Sequence, residues 1–201
     1  MNHLGTVRIE TERLILRKFV FSDARQMFVN VTSDPKVNKF LTWELHESVS
    51  ATEQLLAEWN EKYTNPARYC WAIELKEIGE VIGNISAPTI KERTDTAEVT
   101  YCLGSRWWGR GIVPEALMAV MEFLFYEVGV NRIEAGFDIN NPNSGKVMEK
   151  VGMCKEGVHR QAGRNNQGLF DLVFYAILRE DYTKAQREVT DGCQHRDIHL
   201  I

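Results

Sequence analysis

One stretch of the chain, residues 97–130, limits the fold more than any other, because it joins three different structural patterns without interruption. Residues 98–103 are rich in β-branched and aromatic side chains, which predicts a strand. Residues 104–111 contain three glycines and two adjacent tryptophans, which indicates a loop. Residues 112–128 are mostly apolar and almost free of helix breakers, which predicts a long, largely buried helix. Pro114 falls in its first turn, where a missing N–H costs nothing.

A glycine loop between a strand and a helix can hold a phosphate group. The first N–H groups of a helix have no partner within the helix, and the helix dipole favours an anion there. Gly109 and Gly111 leave the backbone uncovered, and Arg106 and Arg110 add positive charge. The alternative is a glycine-rich turn that only leads into a core helix.

The loop sequence excludes two common phosphate ligands. A nucleoside-triphosphate loop needs Lys and Ser or Thr after the last glycine, but Ile112 and Val113 follow Gly111. A dinucleotide loop needs glycine where Pro114 stands. The pattern that is present, Arg-x-x-Gly-x-Gly from residue 106 to residue 111, resembles the acyl-CoA pyrophosphate loop of the GNAT superfamily of N-acetyltransferases.

Composition excludes several other classes. A length of 201 residues suits one domain. A net charge of −4 argues against nonspecific binding of nucleic acid, which needs a basic face. The sequence contains no apolar run of membrane-spanning length, and the first residues do not resemble a signal peptide, so we expect a cytoplasmic protein with no membrane partner.

The cysteines do not predict a metal site or a disulfide. Cys70, Cys102, Cys154 and Cys193 are widely spaced, with no C-x-x-C pair. Near the end of the chain, histidines follow the last of these cysteines, but the spacing matches no structural zinc pattern. We therefore expect no metal.

The order of predicted elements is β-α-α-β-β-β-loop-α-β-α-β-β, which is that of the GNAT fold. We expect a single α/β (α+β) domain over residues 1–185, followed by a polar tail over residues 186–201. Its central sheet should be mixed and mostly antiparallel, flanked by helices, with splayed central parallel strands. Three local expectations are a first strand over residues 9–19, a helix capped by Ser22, and a mobile polar loop over residues 162–168.

Five short strings are similar to the subfamily that acetylates the N-termini of ribosomal proteins, the Rim type. They cover nearly the whole domain in the order expected for that subfamily. The strings are Thr11–Arg17, Gly79–Gly83, Ala97–Leu103, Asn141–Gly152 and Asp171–Arg179.

The resemblance implies acetyl-CoA as the cosubstrate. Its pyrophosphate would lie on the backbone N–H groups from Arg106 to Ile112. Its pantetheine arm would pair with the backbone of Tyr101, Cys102 and Leu103 in the manner of an added strand. Asn141 would offer its side-chain amide to the same arm, or would only cap its own helix.

Two residues are candidates for proton transfer. Glu98 is the expected base, acting through water, although it could equally be a strand carboxylate without a chemical role. Relatives often use a tyrosine to protonate the leaving thiolate, and here Ser144 is the available hydroxyl, unless it is only a helix residue. A protein α-amino group, with a pKa of about 8, would need little help from a base.

The acceptor is the least constrained part of the prediction. Phe40 and Trp43 are candidates for the acceptor pocket, unless they are simply core. A primary amine at a protein N-terminus, such as that of a ribosomal protein, is the preferred acceptor. The alternatives are a polyamine, an amino acid or an amine antibiotic, or a domain that binds CoA as a sensor without catalysis. The resemblance also suggests a homodimer, because many relatives pair.

Overall fold

The computed structural model describes residues 1–184. The predicted tail, including Cys193, His195 and His199, lies outside the described residues, so the boundary at residue 185 stays a prediction. Residues 179–184 are helical. The preceding elements, in chain order, are β1 (Ile9–Glu10), β2 (Leu14–Arg17), α1 (Ala24–Met27), α2 (Pro35–Asn38), α3 (Val49–Lys62), β3 (Tyr69–Leu75), β4 (Glu80–Lys91), β5 (Thr96–Leu103), α4 (Ile112–Phe123), β6 (Arg132–Asp138), α5 (Pro142–Lys150), β7 (Cys154–Asn165) and β8 (Gly168–Leu178).

The strands form one eight-stranded sheet in the order β1-β2-β3-β4-β5-β6-β8-β7. All neighbours are antiparallel except β5 and β6. Those two strands are parallel because α4 lies between them in the sequence and carries the chain back to the starting edge. The predicted mixed, mostly antiparallel sheet is therefore confirmed.

The parallel pair separates soon after it begins. Only the first three residues of β5, Thr96–Glu98, pair with β6, and their partners are Arg132–Glu134. Strand β5 then continues to Leu103, while β6 stays paired with β8 along its whole length. The sheet thus opens between the C-terminal ends of its central strands, which confirms the predicted splay.

Helices cover both faces of the sheet because apolar side chains alternate along the strands. On β3, Trp71 and Ile73 are fully buried in the cluster that contains α4. Cys70 and Ala72 belong to a second cluster with residues of α1 and α3. The predicted long helix after the glycine loop is confirmed, since α4 continues through a π-helical turn, Leu124–Val128.

The first elements differ from their predicted form. The strand expected over residues 9–19 is two strands, β1 and β2, joined by a turn in which Thr11 Oγ1 accepts a hydrogen bond from Leu14 N at 3.0 Å. Ser22 does not cap the next helix. The Asp23 carboxylate accepts the hydrogen bond from Val20 N at 2.8 Å instead.

The prediction of a loop over residues 162–168 is wrong. Strands β7 and β8 extend through it and leave only residues 166–167 as the turn. Asn166 Nδ2 then donates to the carbonyl oxygens of Asn38 at 3.0 Å and Trp43 at 2.8 Å. The polar composition reflects an exposed hairpin tip that is bound to the loop after α2, which local sequence cannot reveal.

Candidate active site

A cleft of ≈ 810 Å³ opens where β5 and β6 diverge. On one face of the sheet its walls are the loop between β5 and α4, the start of α4, and α5. On the other face its walls are α2, the loop after α2, and the end of α3. The cleft therefore passes through the gap in the sheet and connects the two faces.

The glycine loop adopts a backbone that requires glycine. Gly109 and Gly111 have φ values of 75° and 72°, in the left-handed region that other residues rarely enter. Gly111 is the N-cap of α4, and Ile112 and Val113 are its first residues. Their N–H groups have no partner within the helix, and both residues line the cleft.

The start of the loop is held by close packing and one carboxylate. A Cβ atom at Gly104 would lie 2.1 Å from the carbonyl oxygen of Asn30, so this position accepts only glycine. Asp34 accepts hydrogen bonds from Ser105 N at 3.3 Å and from Lys36 N at 2.9 Å. Burial opposes ionisation of Asp34, but these hydrogen bonds outweigh it and lower its pKa.

Arg106 and Arg110, predicted to supply charge to the loop, do not line the cleft. Arg106 is exposed, with Cζ 5.7 Å from the centre of the Trp107 ring. Arg110 is also exposed, and its carbonyl accepts a hydrogen bond from Arg13 Nη1 at 2.9 Å. The two arginine side chains therefore lie outside the cleft lining, and their predicted role in holding the pyrophosphate stays a prediction.

Two lysines on α5 supply positive charge to the cleft instead. Lys146 and Lys150 both line it, and a Cβ atom at Gly111 would lie 3.8 Å from Lys150 Nζ. Neither lysine was among the predicted site residues, although residues four apart share one face of a helix. That spacing was the only signal available.

The C-terminal half of β5 offers a free backbone edge to the cleft. Gly104 N donates to Ile82 O on β4 at 2.9 Å, so by alternation the backbone groups of Leu103 and Tyr101 point away from β4. Trp108 Nε1 donates to the carbonyl oxygen of Leu103 at 2.8 Å, consistent with that direction. The Leu103 N–H and both polar groups of Tyr101 face the gap.

The first turn of α5 brings two predicted residues together. Asn141 is the N-cap, but its side chain does not cap the helix, and Nδ2 donates to Ser144 Oγ at 3.0 Å. Tyr101 Oη donates to the Ser144 carbonyl at 2.9 Å. Burial raises the pKa of Tyr101, so this phenol stays protonated. All three residues line the cleft.

Glu98 occupies a different position from the other predicted residues. It is the last residue of β5 in register with β6, opposite Glu134, and it is half-buried. It does not line the cleft directly. It shares a face of β5 with Thr100 and Cys102, which do, so it lies just below the point where the strands part.

Cys102 lines the cleft as a neutral thiol. Burial, together with the nearby Asp34 carboxylate, raises its pKa to about 12. A thiol in this state is a poor nucleophile, because the thiolate is the reactive form. The structure thus favours direct transfer over an acyl-enzyme on this residue.

Phe40 and Trp43 both line the cleft on the α2 side. Lys39 Nζ lies 5.0 Å from the centre of the Phe40 ring, and the ring centres of Trp43 and His46 are 5.5 Å apart. Asn38 Nδ2 donates to the Trp43 carbonyl at 2.6 Å. This loop is therefore fixed at both the backbone and the side-chain level.

The described residues show neither a metal-binding cluster nor a membrane-spanning helix. Within residues 1–184, no group of three or more His, Cys, Asp or Glu side chains is placed to hold a metal ion. In the same part of the chain, no helix has the length and apolar character needed to cross a bilayer.

The chain matches proteins of known family along most of its length. Residues 13–154 match the family model described as acetyltransferase (GNAT) domain. An uncharacterized N-acetyltransferase from Bacillus licheniformis, p20, is 30% identical over 86% of this chain and 96% of that protein. The [Ribosomal protein uS5]-alanine N-acetyltransferase of Escherichia coli is 24% identical over 90% of this chain and 96% of its own.

A solved structure supports the same fold. The microcin C7 self-immunity acetyltransferase MccE, in complex with acetyl-CoA and AMP, superposes with a TM-score of 0.76. It is 20% identical and covers 84% of this chain and 93% of its own. With the splayed sheet, the glycine loop and the extent of these matches, the chain belongs to the GNAT family of acetyltransferases and is an acetyl-CoA-dependent N-acetyltransferase.

Proposed function

We propose that the acceptor of this N-acetyltransferase is the N-terminal amine of a protein, such as a ribosomal protein. One observation carries the choice: among the described residues, the only carboxylate that lines the cleft is Asp138. Its Oδ1 and Oδ2 already accept hydrogen bonds from Asn140 N at 2.9 Å and Asn165 Nδ2 at 2.7 Å. A polyamine or aminoglycoside, with several positive charges, would meet one carboxylate and several lining cations there.

The E. coli relative that acts on a ribosomal protein supports the same acceptor class. A peptide N-terminus carries a single positive charge and loses it easily, because its pKa is about 8. A cleft that runs through the sheet also suits an extended chain entering from one face.

The residues of the cleft fit acetyl-CoA as cosubstrate. The backbone N–H groups of the glycine loop and of Ile112 would hold the pyrophosphate, with Lys150 supplying positive charge. The pantetheine amides would pair with the free edge of β5 at Tyr101 and Leu103. The Leu103 N–H, which faces the gap, would donate to the developing oxyanion.

Ser144 is the proposed acid for the leaving thiolate. Its Oγ accepts a hydrogen bond from Asn141 Nδ2, which leaves the hydroxyl proton free to be donated. In this arrangement Asn141 orients the serine, and Tyr101 holds the same turn through the Ser144 carbonyl. The three residues act together at the wall of the cleft.

Glu98 is the proposed base, and it acts through water because it lies below the cleft. Among the described residues no hydrogen bond or ion pair engages its carboxylate. An α-amino acceptor is partly deprotonated at neutral pH, so most of the rate comes from orientation of the two substrates, with a smaller share from the base.

The test is thiol release from acetyl-CoA with three acceptor classes: N-terminal peptides, polyamines and aminoglycosides. We expect turnover on peptides at least tenfold above that on the other classes. Turnover confined to polyamines or aminoglycosides would contradict the proposal.

In the same assay, the double variant Ser144→Ala, Glu98→Gln should keep its CoA affinity and lose about 100-fold in kcat, the scale of acid–base catalysis. Unchanged kcat in that variant would remove both residues from the mechanism.

A further inference from the structure

The half of the cleft on the α1 and α3 face carries positive charge that the cosubstrate does not explain. Arg68, just before β3, and Lys62, at the end of α3, both line this half. Within residues 1–184, neither has a salt-bridge partner. The chain as a whole has a net charge of −4, so this local excess of cations runs against the composition.

Arg68 is held in place by the backbone of β4. Its Nη1 donates to the carbonyl oxygen of Pro88 at 3.1 Å. Pro88 lies where the register between β4 and β5 shifts, between Ser86 and Thr89. The side chain is only partly exposed, and Nε and Nη2 are not engaged by any other described residue. The guanidinium is therefore fixed by one nitrogen and can offer two others to a ligand.

The position of Arg68 relates it to the reacting end of the acceptor. Ser86 is in register with Thr100 and Thr89 with Glu98, so Pro88 and Arg68 lie at the level of the residues just below the gap. Arg68 is two strands from β5, a separation of about 10 Å at the usual strand spacing. An extended peptide advances about 3.3 Å per residue, so this distance corresponds to its first three residues.

We infer that the enzyme selects acidic N-termini, in which a carboxylate at the second or third residue pairs with Arg68 and is attracted by Lys62. This inference rests on the proposed function, because it concerns a peptide acceptor. A guanidinium matches a carboxylate with two parallel hydrogen bonds, whereas an ammonium acts as a point charge. Arg68 thus sets specificity, and Lys62 adds attraction at longer range.

The experiment compares three peptides of one otherwise uncharged sequence, in which the second and third residues are both aspartate, both asparagine or both lysine. We expect kcat/KM for the aspartate peptide to exceed that of the asparagine peptide about tenfold at low salt, with the lysine peptide lowest. The ratio should fall toward one at 0.5 M salt, since the Debye length then shrinks to a few ångströms.

Variants assign the effect to residues. Arg68→Gln should reduce the aspartate-to-asparagine ratio to about two or less, while Arg68→Lys keeps part of it. Lys62→Gln should lower the ratio about two- to threefold without touching the Pro88 contact. Arg93→Gln, at an exposed arginine outside the cleft lining, is the matched control and should leave the ratio unchanged.

Three outcomes separate this inference from the proposed function. Equal kcat/KM for all three peptides in the wild-type enzyme would overturn the inference alone. A loss of activity in Arg68→Gln that is the same for every peptide would also overturn it, because the residue would then only hold β4. Failure to acetylate any peptide, with turnover on a small amine, would overturn the proposed function as well.

Discussion

Glu115, in the first turn of α4, joins three parts of the site through one carboxylate. It accepts hydrogen bonds from Thr11 Oγ1 at 2.5 Å, Arg13 N at 2.9 Å and Arg13 Nε at 2.6 Å. Arg13 in turn donates to the carbonyl of Arg110 at 2.9 Å. The turn between β1 and β2 is therefore bound both to α4 and to the glycine loop. An acidic side chain also suits this helix end, because of the dipole.

The Glu115 contacts predict a pH-dependent contribution to stability. Burial opposes ionisation of Glu115, but the hydrogen bonds from Thr11 and Arg13 outweigh that effect. The pKa of Glu115 is therefore lowered from its ordinary 4.5. Its contribution is then present above pH 4.5 and lost as the pH falls through the folded-state pKa. Glu115→Gln should lower the free energy of unfolding by about 1 kcal/mol at pH 7 and by less at pH 3.

Urea unfolding of both proteins at the two pH values measures this difference. Glu122→Gln, at an exposed position of the same helix, is the control and should have no effect at either pH. An equal loss for Glu115→Gln at pH 7 and pH 3 would show that the effect does not come from the ionised carboxylate.

At the residue scale, the sequence predicted backbone roles better than side-chain directions. Gly109 and Gly111 were identifiable because they leave the backbone uncovered, and both adopt the positive φ that glycine allows. The direction of the Arg106 side chain, in contrast, depends on how Trp107 packs. The position of Lys150 beside Gly111 depends on how α5 lies against the glycine loop. Both are set by distant parts of the chain.

At the level of elements, the β7–β8 hairpin supports the acceptor side of the cleft. Asn166 at its tip donates to Asn38 and Trp43, and its backbone N–H donates to Leu41 O at 3.0 Å. Near the tip, Asn165 Nδ2 donates to Asp138 Oδ2 at 2.7 Å. One hairpin therefore connects the end of β6 with the loop that carries Trp43.

Asn166→Ala should loosen that loop without disturbing the CoA side. We expect KM for a peptide acceptor to rise about threefold to tenfold, because the hydrogen bonds of the exposed Asn166 amide, which contribute about 1 kcal/mol in total, are lost. CoA affinity should not change. Gln167→Ala, the neighbouring turn residue, is the matched control and should behave like the wild-type enzyme. Steady-state kinetics measure the peptide KM of both variants, and CoA titration measures their CoA affinity. A parallel rise in the CoA dissociation constant would mean that the hairpin supports the whole cleft.

The same hairpin shows why element boundaries were harder to predict than element order. Its residues are polar and include glycine, which locally favours a loop. Pairing with β8 and the anchor at Asn38 extend the strands through Gly163 to Asn165. A contact between neighbouring elements also shifted the start of the first helix, where Arg17 of β2 holds Asp23 with contacts of 2.7 and 2.9 Å.

For the molecule as a whole, part of the topology followed from the sequence, because short turns join β3 to β4, β4 to β5 and β7 to β8. The single long apolar helix between two strands implies a parallel pair, and the hairpin turns imply antiparallel pairing of the strands that they join. The antiparallel pairs β2–β3 and β6–β8 are not joined by hairpins. The splay of β5 from β6 was expected only from the family resemblance, since no local pattern specifies where a pair of strands separates. That splay creates the cleft on which the proposed chemistry depends.

Amide hydrogen exchange with and without CoA tests the central claim most directly, namely that CoA binds along the free edge of β5 and over the glycine loop. The account predicts slower exchange for residues 101–112 and for the first turn of α5 when CoA is bound, with no change in β1 and β2. Slower exchange confined to other elements, or no change at residues 101–112 at saturating CoA, would contradict it.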